Sequence, residues 1–268
     1  MSQVDTLSAQ TEPTIAQTNQ AEQLTPQTPD LLHVAQLNAW YGAAHILFDV
    51  SLSVAKGEVV ALMGRNGAGK SSTLKSIMGL IEKTQGKRQF MGQEIGQWPA
   101  YKIARLGLGY VPEDRRIFAN LTVAENLSAG QQKPRQWPDG QAAPHWTVEQ
   151  LVRLFPNLGH MMDRPGTRMS GGEQQMLSVA RTLMGNPYLI LLDEPSEGVA
   201  PIIVEQMRDM VLSLKEKGVG VLISEQNLDF AYAVADRVYV LEKGQVKFSG
   251  TMQALRENTQ VQENYLAI

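Results

Sequence analysis

Hydrophobic and polar positions show no regular rhythm in this chain until Leu31. Residues 1–30 are rich in Gln and Thr, contain Pro13, Pro26 and Pro29, and have few large apolar groups. Such a segment buries too little surface to offset its ordering entropy, so the pattern predicts a disordered tail with no assigned role. From Leu31 onward, short apolar pieces are punctuated by Tyr41-Gly42 and Lys56-Gly57. This pattern predicts antiparallel strands and turns that end in a fully buried strand over residues 58–63. Leu74, Ile77 and Met78 then recur at helical spacing, and two more buried-strand runs follow, "YLILLDE" and "GVGVLISE". Strands alternating with helical patterns predict an α/β fold with a parallel sheet covered by helices. The stretch from about residue 112 to 183 lacks strand runs and is expected to be helical, interrupted by the loop "GQQKPRQWPDGQAAP". "DRVYVLEKGQVKFSG" predicts a hairpin, and the C-terminal segment is expected to be helical; no internal repeat is visible.

Composition narrows the function classes. The chain has 268 residues, 43% hydrophobic and 19% charged, which is ample for one large core. A net charge of −3 gives no electrostatic footprint for nucleic acid. With no Cys there are no disulfides or thiolate metal sites, which fits a reducing compartment. No apolar run approaches the roughly 18 residues of a membrane span. No Lys or Arg precedes Lys56, which argues against a targeting leader. The expectation is a cytoplasmic protein whose membrane contact comes through a partner.

The candidate chemistry begins at "GRNGAGKSS", residues 64–72, which matches G-x-x-x-x-G-K-[ST] between a predicted buried strand and a helix. Gly64, Gly67 and Gly69 allow the backbone to curl, so that N–H groups across Arg65, Asn66 and Ala68 face phosphate oxygens. The helix N-terminus adds its positive end. Lys70 is expected to bridge the outer phosphates, the Ser71 hydroxyl to ligate Mg²⁺, and Ser72 to complete the loop. This motif alone leaves kinases, GTPases and ATPases open. In "LILLDEP", Asp193 and Glu194 stand at the exit of a buried strand. There an Asp can hold the metal through water and a Glu can orient or deprotonate the attacking water. Ser170-Gly171-Gly172-Glu173 is a capping box opening an amphipathic helix, and also a potential anion site built of backbone N–H groups.

Residues 64–71, 170–174 and 189–194 together resemble the nucleotide-binding subunit of ABC transporters, over about residues 31–268. The resemblance implies a P-loop NTPase core with an N-terminal antiparallel β-subdomain and a helical subdomain inserted at about 112–183. It implies ATP and Mg²⁺ as ligands, with the signature Ser and glycines of one subunit closing over the nucleotide held by the other. Tyr41 matches the family's adenine-stacking aromatic, although a hairpin-turn residue would look the same. Three positions depart from the common pattern. Glu113, in "GYVPEDRRIF", stands where most members have a metal-touching Gln; Ala200 replaces an Asp; and Gln226 stands where most have a His contacting the γ-phosphate. A Gln amide donates a hydrogen bond but takes up no proton at relevant pH, which leaves base work to Glu194.

"VPEDRRIF", "SGGEQQML", "DEPSEGVAP" and "EQN" resemble the ATPases of branched-chain amino-acid importers, with urea and short-chain amide importers as the alternative. That resemblance implies a second, non-identical ATPase, two membrane permease subunits and a periplasmic binding protein, with this chain on the inner face of the membrane. Residues 115–118 would lie near the groove for a permease helix, or form a solvated loop. A low-turnover regulatory subunit stays open because of Gln226 and Ala200.

Overall fold

The structure is a computed structural model that describes residues 30–266. Of the tail expected over residues 1–30, residues 1–29 lie outside the described residues, and Asp30 departs from the expectation by pairing with Ala55 at the start of the first strand.

Two sheets organise the chain. β1 (Asp30–Tyr41), β2 (Ala44–Ala55), β4 (Lys83–Phe90) and β5 (Gln93–Glu94) form an antiparallel sheet in the order β2-β1-β4-β5. The second sheet has six strands in the order β10-β9-β3-β8-β7-β6. These are β3 (Val59–Met63), β6 (Leu108–Val111), β7 (Leu189–Asp193), β8 (Gly220–Glu225), β9 (Arg237–Glu242) and β10 (Gln245–Thr251). All its pairings are parallel except the β9–β10 hairpin. The α/β class and the mixed sheet composition agree with the sequence pattern.

The reason lies in the side-chain period. Every residue of β3, β7 and β8 is buried, as expected for strands covered on both faces. Alternate residues serve opposite layers. Val59, Ala61 and Met63 pack with Ile190, Leu192, Val221 and Ile223 beneath the helices. Val60, Leu62, Leu189, Leu191 and Leu222 face the antiparallel sheet. The helices are α1 (Lys70–Ile77), α2 (Ala100–Leu106), α3 (Val123–Gly130), α4 (Val148–Leu154), α5 (Pro156–Gly159), α6 (Gly171–Leu183), α7 (Pro201–Glu216), α8 (Leu228–Val234), α9 (Met252–Glu257) and α10 (Thr259–Tyr265). The register places the C-terminal ends of β3, β8 and β7 side by side, with Met63 opposite Glu225 and Asp193 opposite Ser224. That edge is where a parallel sheet presents ligands.

The loop between α3 and α4 was expected to be an interruption, and it forms a strap back onto the core. Buried Asn186 donates from Nδ2 to the carbonyls of Gln132 (2.9 Å) and Lys133 (3.2 Å) and accepts from the Trp146 backbone N–H at 2.9 Å. Trp137 lies 4.9 Å from the Tyr188 ring, centroid to centroid, and the Lys56 ammonium sits 4.0 Å above its face. Nothing periodic in the loop signals this, because it is anchored by one aromatic, Trp137, and by Asn186 from outside the loop. Trp137→Ala is expected to cost about 3 kcal/mol of stability, by cavity formation and the lost cation–π contact. Urea denaturation checks it: an unchanged midpoint would show that the strap is not packed.

Candidate active site

The phosphate loop connects β3 to α1. Gly64 has φ 148°, and a Cβ there would lie 2.4 Å from the Leu241 carbonyl oxygen. Gly69 has φ 108°, and its Cβ would lie 2.9 Å from Leu47 Cδ2. Both positions need glycine for conformation and for close approach. The resulting curl turns back the Lys70 side chain, which donates from Nζ to the carbonyls of Gly64 (2.9 Å) and Arg65 (3.3 Å).

Lys70 Nζ also meets Glu194 Oε1 at 3.0 Å, with both side chains buried. Glu194 is the first residue past β7 and has φ 48°, a left-handed conformation costly for a non-glycine residue and typical of functional strain. Its backbone N–H is held by the Ser224 carbonyl and hydroxyl, both at 3.1 Å. The other oxygen, Oε2, accepts from Gln226 Nε2 at 3.0 Å, and the same amide donates to Asn66 Oδ1 at 2.8 Å. Gln226 therefore bridges the phosphate loop and the acid pair. Burial alone would raise the Glu194 carboxyl, but hydrogen bonds from Glu197, Lys70 and Gln226 and the Lys70 charge hold it below the ordinary carboxylate range.

Asp193 faces a different set of groups. Its Oδ1 accepts from the hydroxyls of Ser71 (2.8 Å) and Ser224 (2.7 Å), and Oδ2 accepts from the Tyr110 hydroxyl at 3.2 Å. Burial, then the Asp193 charge, raises the Tyr110 phenol, so it stays a donor. A cleft of about 670 Å³ opens over this ensemble, lined by Asn66, Gly67, Lys70, Ser71, Glu113 and Glu194 among others. That volume is in the range of small-molecule sites. Ser71, Asp193 and Glu113 offer only oxygen donors, which suits a hard divalent cation such as Mg²⁺.

Of the expected residues, Gly64, Arg65, Ala68, Asp193 and Gln226 do not line the cleft themselves, although Asp193 bonds to Ser71 and Gln226 to Glu194, which do. Two further groups also lie outside it. Ser170 and Glu173 cap α6: the Ser170 N–H donates to Glu173 Oε2 at 2.7 Å, and the Glu173 N–H donates to Ser170 Oγ at 3.3 Å. Gly171 packs beneath the Arg115 guanidinium and Gly172 beside Ile203, so neither lines the cleft of its own chain. Tyr41, at the end of β1, is 50% exposed and is also absent from the lining.

The cleft also holds Glu197, which sequence reasoning missed, beside the expected Glu113 and Glu194. Carboxylate oxygens of Glu113, Glu194 and Glu197 lie within 4.8 Å of one another. Its hydrogen bond to Glu194, then burial and the neighbouring negative charges, push the Glu197 carboxyl up to about 7. The sign of the pH dependence follows. Glu197 binds its proton more tightly folded than unfolded, so its stabilising effect is complete below its ordinary value of 4.5 and is lost as pH rises through about 7. Thermal stability of the nucleotide-free protein is expected to fall between pH 5 and 8, and Glu197→Gln should flatten that slope. Equal slopes for the two proteins would contradict the shared proton.

Comparisons with known proteins bear on this geometry. A sequence profile described as "ABC transporter" matches residues 47–197. The chain is 41% identical over 236 residues to the high-affinity branched-chain amino acid transport ATP-binding protein BraG of Pseudomonas aeruginosa, covering 88% of this chain and 99% of that one. It is 36% identical to the lipopolysaccharide export system ATP-binding protein LptB of Haemophilus influenzae, covering 88% and 97%. Among solved structures, a nucleotide-free ATP-binding cassette from an ABC transporter superposes with a TM-score of 0.73 at 28% identity, covering 87% of this chain and 95% of that one.

Proposed function

The chain belongs to the ABC transporter family and is an ATP-hydrolysing subunit of a transporter, and from that premise we propose that it drives import of branched-chain amino acids. The support for the solute is the likeness to BraG along nearly that protein's whole length. The LptB likeness is lower, and it names a different cargo.

Within the site, Lys70 and the loop N–H groups bind the phosphates of ATP, and Ser71, Asp193 and Glu113 hold Mg²⁺. When bound, the cation neutralises developing phosphate charge and orients the γ-phosphoryl group. Tyr41 stacks on adenine. Glu194 orients and deprotonates the attacking water, and Gln226 positions the γ-phosphate by donation alone. The observation that supports this division is the single amide of Gln226 spanning Asn66 and Glu194. With Lys70 already paired to Glu194, phosphate binding releases that carboxylate for work on water. Ser170, Gly171, Gly172 and Glu173 act on the nucleotide of a second, non-identical ATPase subunit. Their absence from the lining of their own chain's cleft supports action across a subunit interface.

No helix among the described residues is long and apolar enough to cross a membrane. Contact with the membrane is therefore assigned to two permease subunits, at the inner face, with a periplasmic binding protein delivering solute. An apolar groove of about 460 Å³, lined by Leu80, Tyr101, Phe118 and Arg181 among others, supports the permease contact. Of residues 115–118, only Phe118 lines it, because Arg115 lies over Gly171 instead.

The test is gentle solubilisation of tagged protein from its host, with co-purifying chains identified by mass spectrometry. Two permease chains and a second P-loop ATPase are expected. Recovery with lipopolysaccharide-export components, or with no membrane chain, would overturn the proposal.

A further inference from the structure

One buried acid has no part in the chemistry assigned so far. Glu225 ends β8, is 2% exposed and touches no residue of the phosphate loop in its hydrogen bonds. Its carboxylate accepts three backbone N–H groups. Oε1 takes Ser196 at 3.1 Å, and Oε2 takes Gln226 at 3.2 Å and Asn227 at 3.3 Å. Ser196 belongs to the loop that leaves β7 with Glu194 and Glu197, whereas Gln226 and Asn227 begin the loop that leaves β8.

The sheet explains why a side chain is needed at this point. β7 and β8 run parallel up to Asp193 opposite Ser224, and the last backbone link is the Glu194 N–H to the Ser224 carbonyl. Beyond it Glu194 turns left-handed, and the two chains diverge. An unpaired N–H in a buried place is costly, and a backbone carbonyl is no longer available to Ser196. The Glu225 side chain extends the ladder by one rung, and it does so across the two loops whose relative position decides where the Gln226 amide meets Glu194.

We propose that Glu225 is a positioning residue for ATP hydrolysis, a carboxylate staple that fixes the loop after Glu194 against the loop carrying Gln226. The proposal rests on the assignment of Glu194 and Gln226 to the hydrolytic step. A carboxylate suits the place because it only accepts, with two oxygens diverging towards two loops. A Gln has the same shape but one accepting oxygen, and its NH₂ would face a backbone donor. An Asp is one methylene shorter and cannot reach both loops. Neither change touches Lys70 or Ser71, so the step affected is turnover and not nucleotide capture.

The experiment is steady-state ATP hydrolysis by the full-length chain, purified with whatever partners accompany it. The proteins compared are the parent, Glu225→Gln, Gln226→Ala, the double variant and Glu194→Gln. Glu225→Gln is expected to lower kcat about tenfold with KM for ATP within about twofold, the loss matching one misplaced buried hydrogen bond. In the Gln226→Ala background the same change should cost less than about threefold, because the group it positions is gone. If Glu225→Gln does not fold, Glu225→Asp is read for the same split between kcat and KM. Parental kcat in Glu225→Gln, a parallel rise in KM, or full additivity with Gln226→Ala would each overturn the inference alone, provided Glu194→Gln is inactive. A Glu194→Gln protein at parental turnover would overturn the assignment of the site, and this inference with it.

Discussion

Glu194→Gln is expected to lower kcat for ATP hydrolysis by about 10²- to 10⁴-fold, the range of a lost general base, while ATP still binds. The substitution keeps volume and backbone, so the left-handed turn at residue 194 persists. The Lys70 ammonium keeps the Gly64 and Arg65 carbonyls and an amide oxygen in place of the carboxylate. Gln226 and Asn66 can flip their amides together, so that the Gln226 oxygen accepts from residue 194 and from the Asn66 NH₂, and the bridge to the loop is rearranged but not removed. Only the capacity to take a proton disappears. Steady-state hydrolysis with a separate ATP-binding titration measures both halves of the expectation. Because Gln226 itself takes up no proton, a Glu194→Gln rate equal to the parental rate would contradict Glu194 as the base: a high shared rate would assign the water to another group, and a low shared rate would favour the low-turnover regulatory reading.

Lys70→Ala acts on binding and on stability at once. Removing a buried cation from the phosphates is expected to weaken ATP binding by about 100-fold or more. It also leaves Glu194 buried without its countercharge, since the two side chains are 3% and 7% exposed and 3.0 Å apart. Breaking a buried pair from one side costs about 3–5 kcal/mol, and the lower end applies here because Glu194 can take up a proton and keeps the Gln226 amide as a donor. For a chain of this size about 3 kcal/mol is roughly 6–12 °C in Tm. The loss should shrink as pH falls, since protonating Glu194 relieves the unpaired charge. A nucleotide-free Tm equal to that of the parent would contradict a buried Lys70–Glu194 pair.

These contrasts indicate which parts of the site a sequence can disclose. The phosphate loop and the Asp193–Glu194 pair are contiguous and carry residue types that only phosphate and metal chemistry demands together, so they were legible directly. Gln226 was legible only because a buried strand placed it at a sheet exit and a family resemblance supplied what usually stands there. Tyr110, Ser224 and Glu225 were not legible. Their importance comes from the register of β6, β7 and β8, which sets Ser224 opposite Asp193 and leaves Glu225 one step beyond the last backbone link. Glu197 escaped for a related reason, because three residues past Glu194 is close in space only after the left-handed turn. The fold was legible through the apolar runs of β3, β7 and β8, whereas the strap over residues 131–146 was not, since Asn186 and Trp137 organise it without any repeat in hydrophobicity.

The most direct test of the central claim is uptake of labelled leucine, isoleucine and valine by host cells lacking this chain, complemented with either the parent or Glu194→Gln. The account predicts that uptake is lost without the chain, returns with the parent, and stays lost with Glu194→Gln expressed at equal level. Unchanged uptake in the cells lacking the chain, or full rescue by Glu194→Gln, would contradict it.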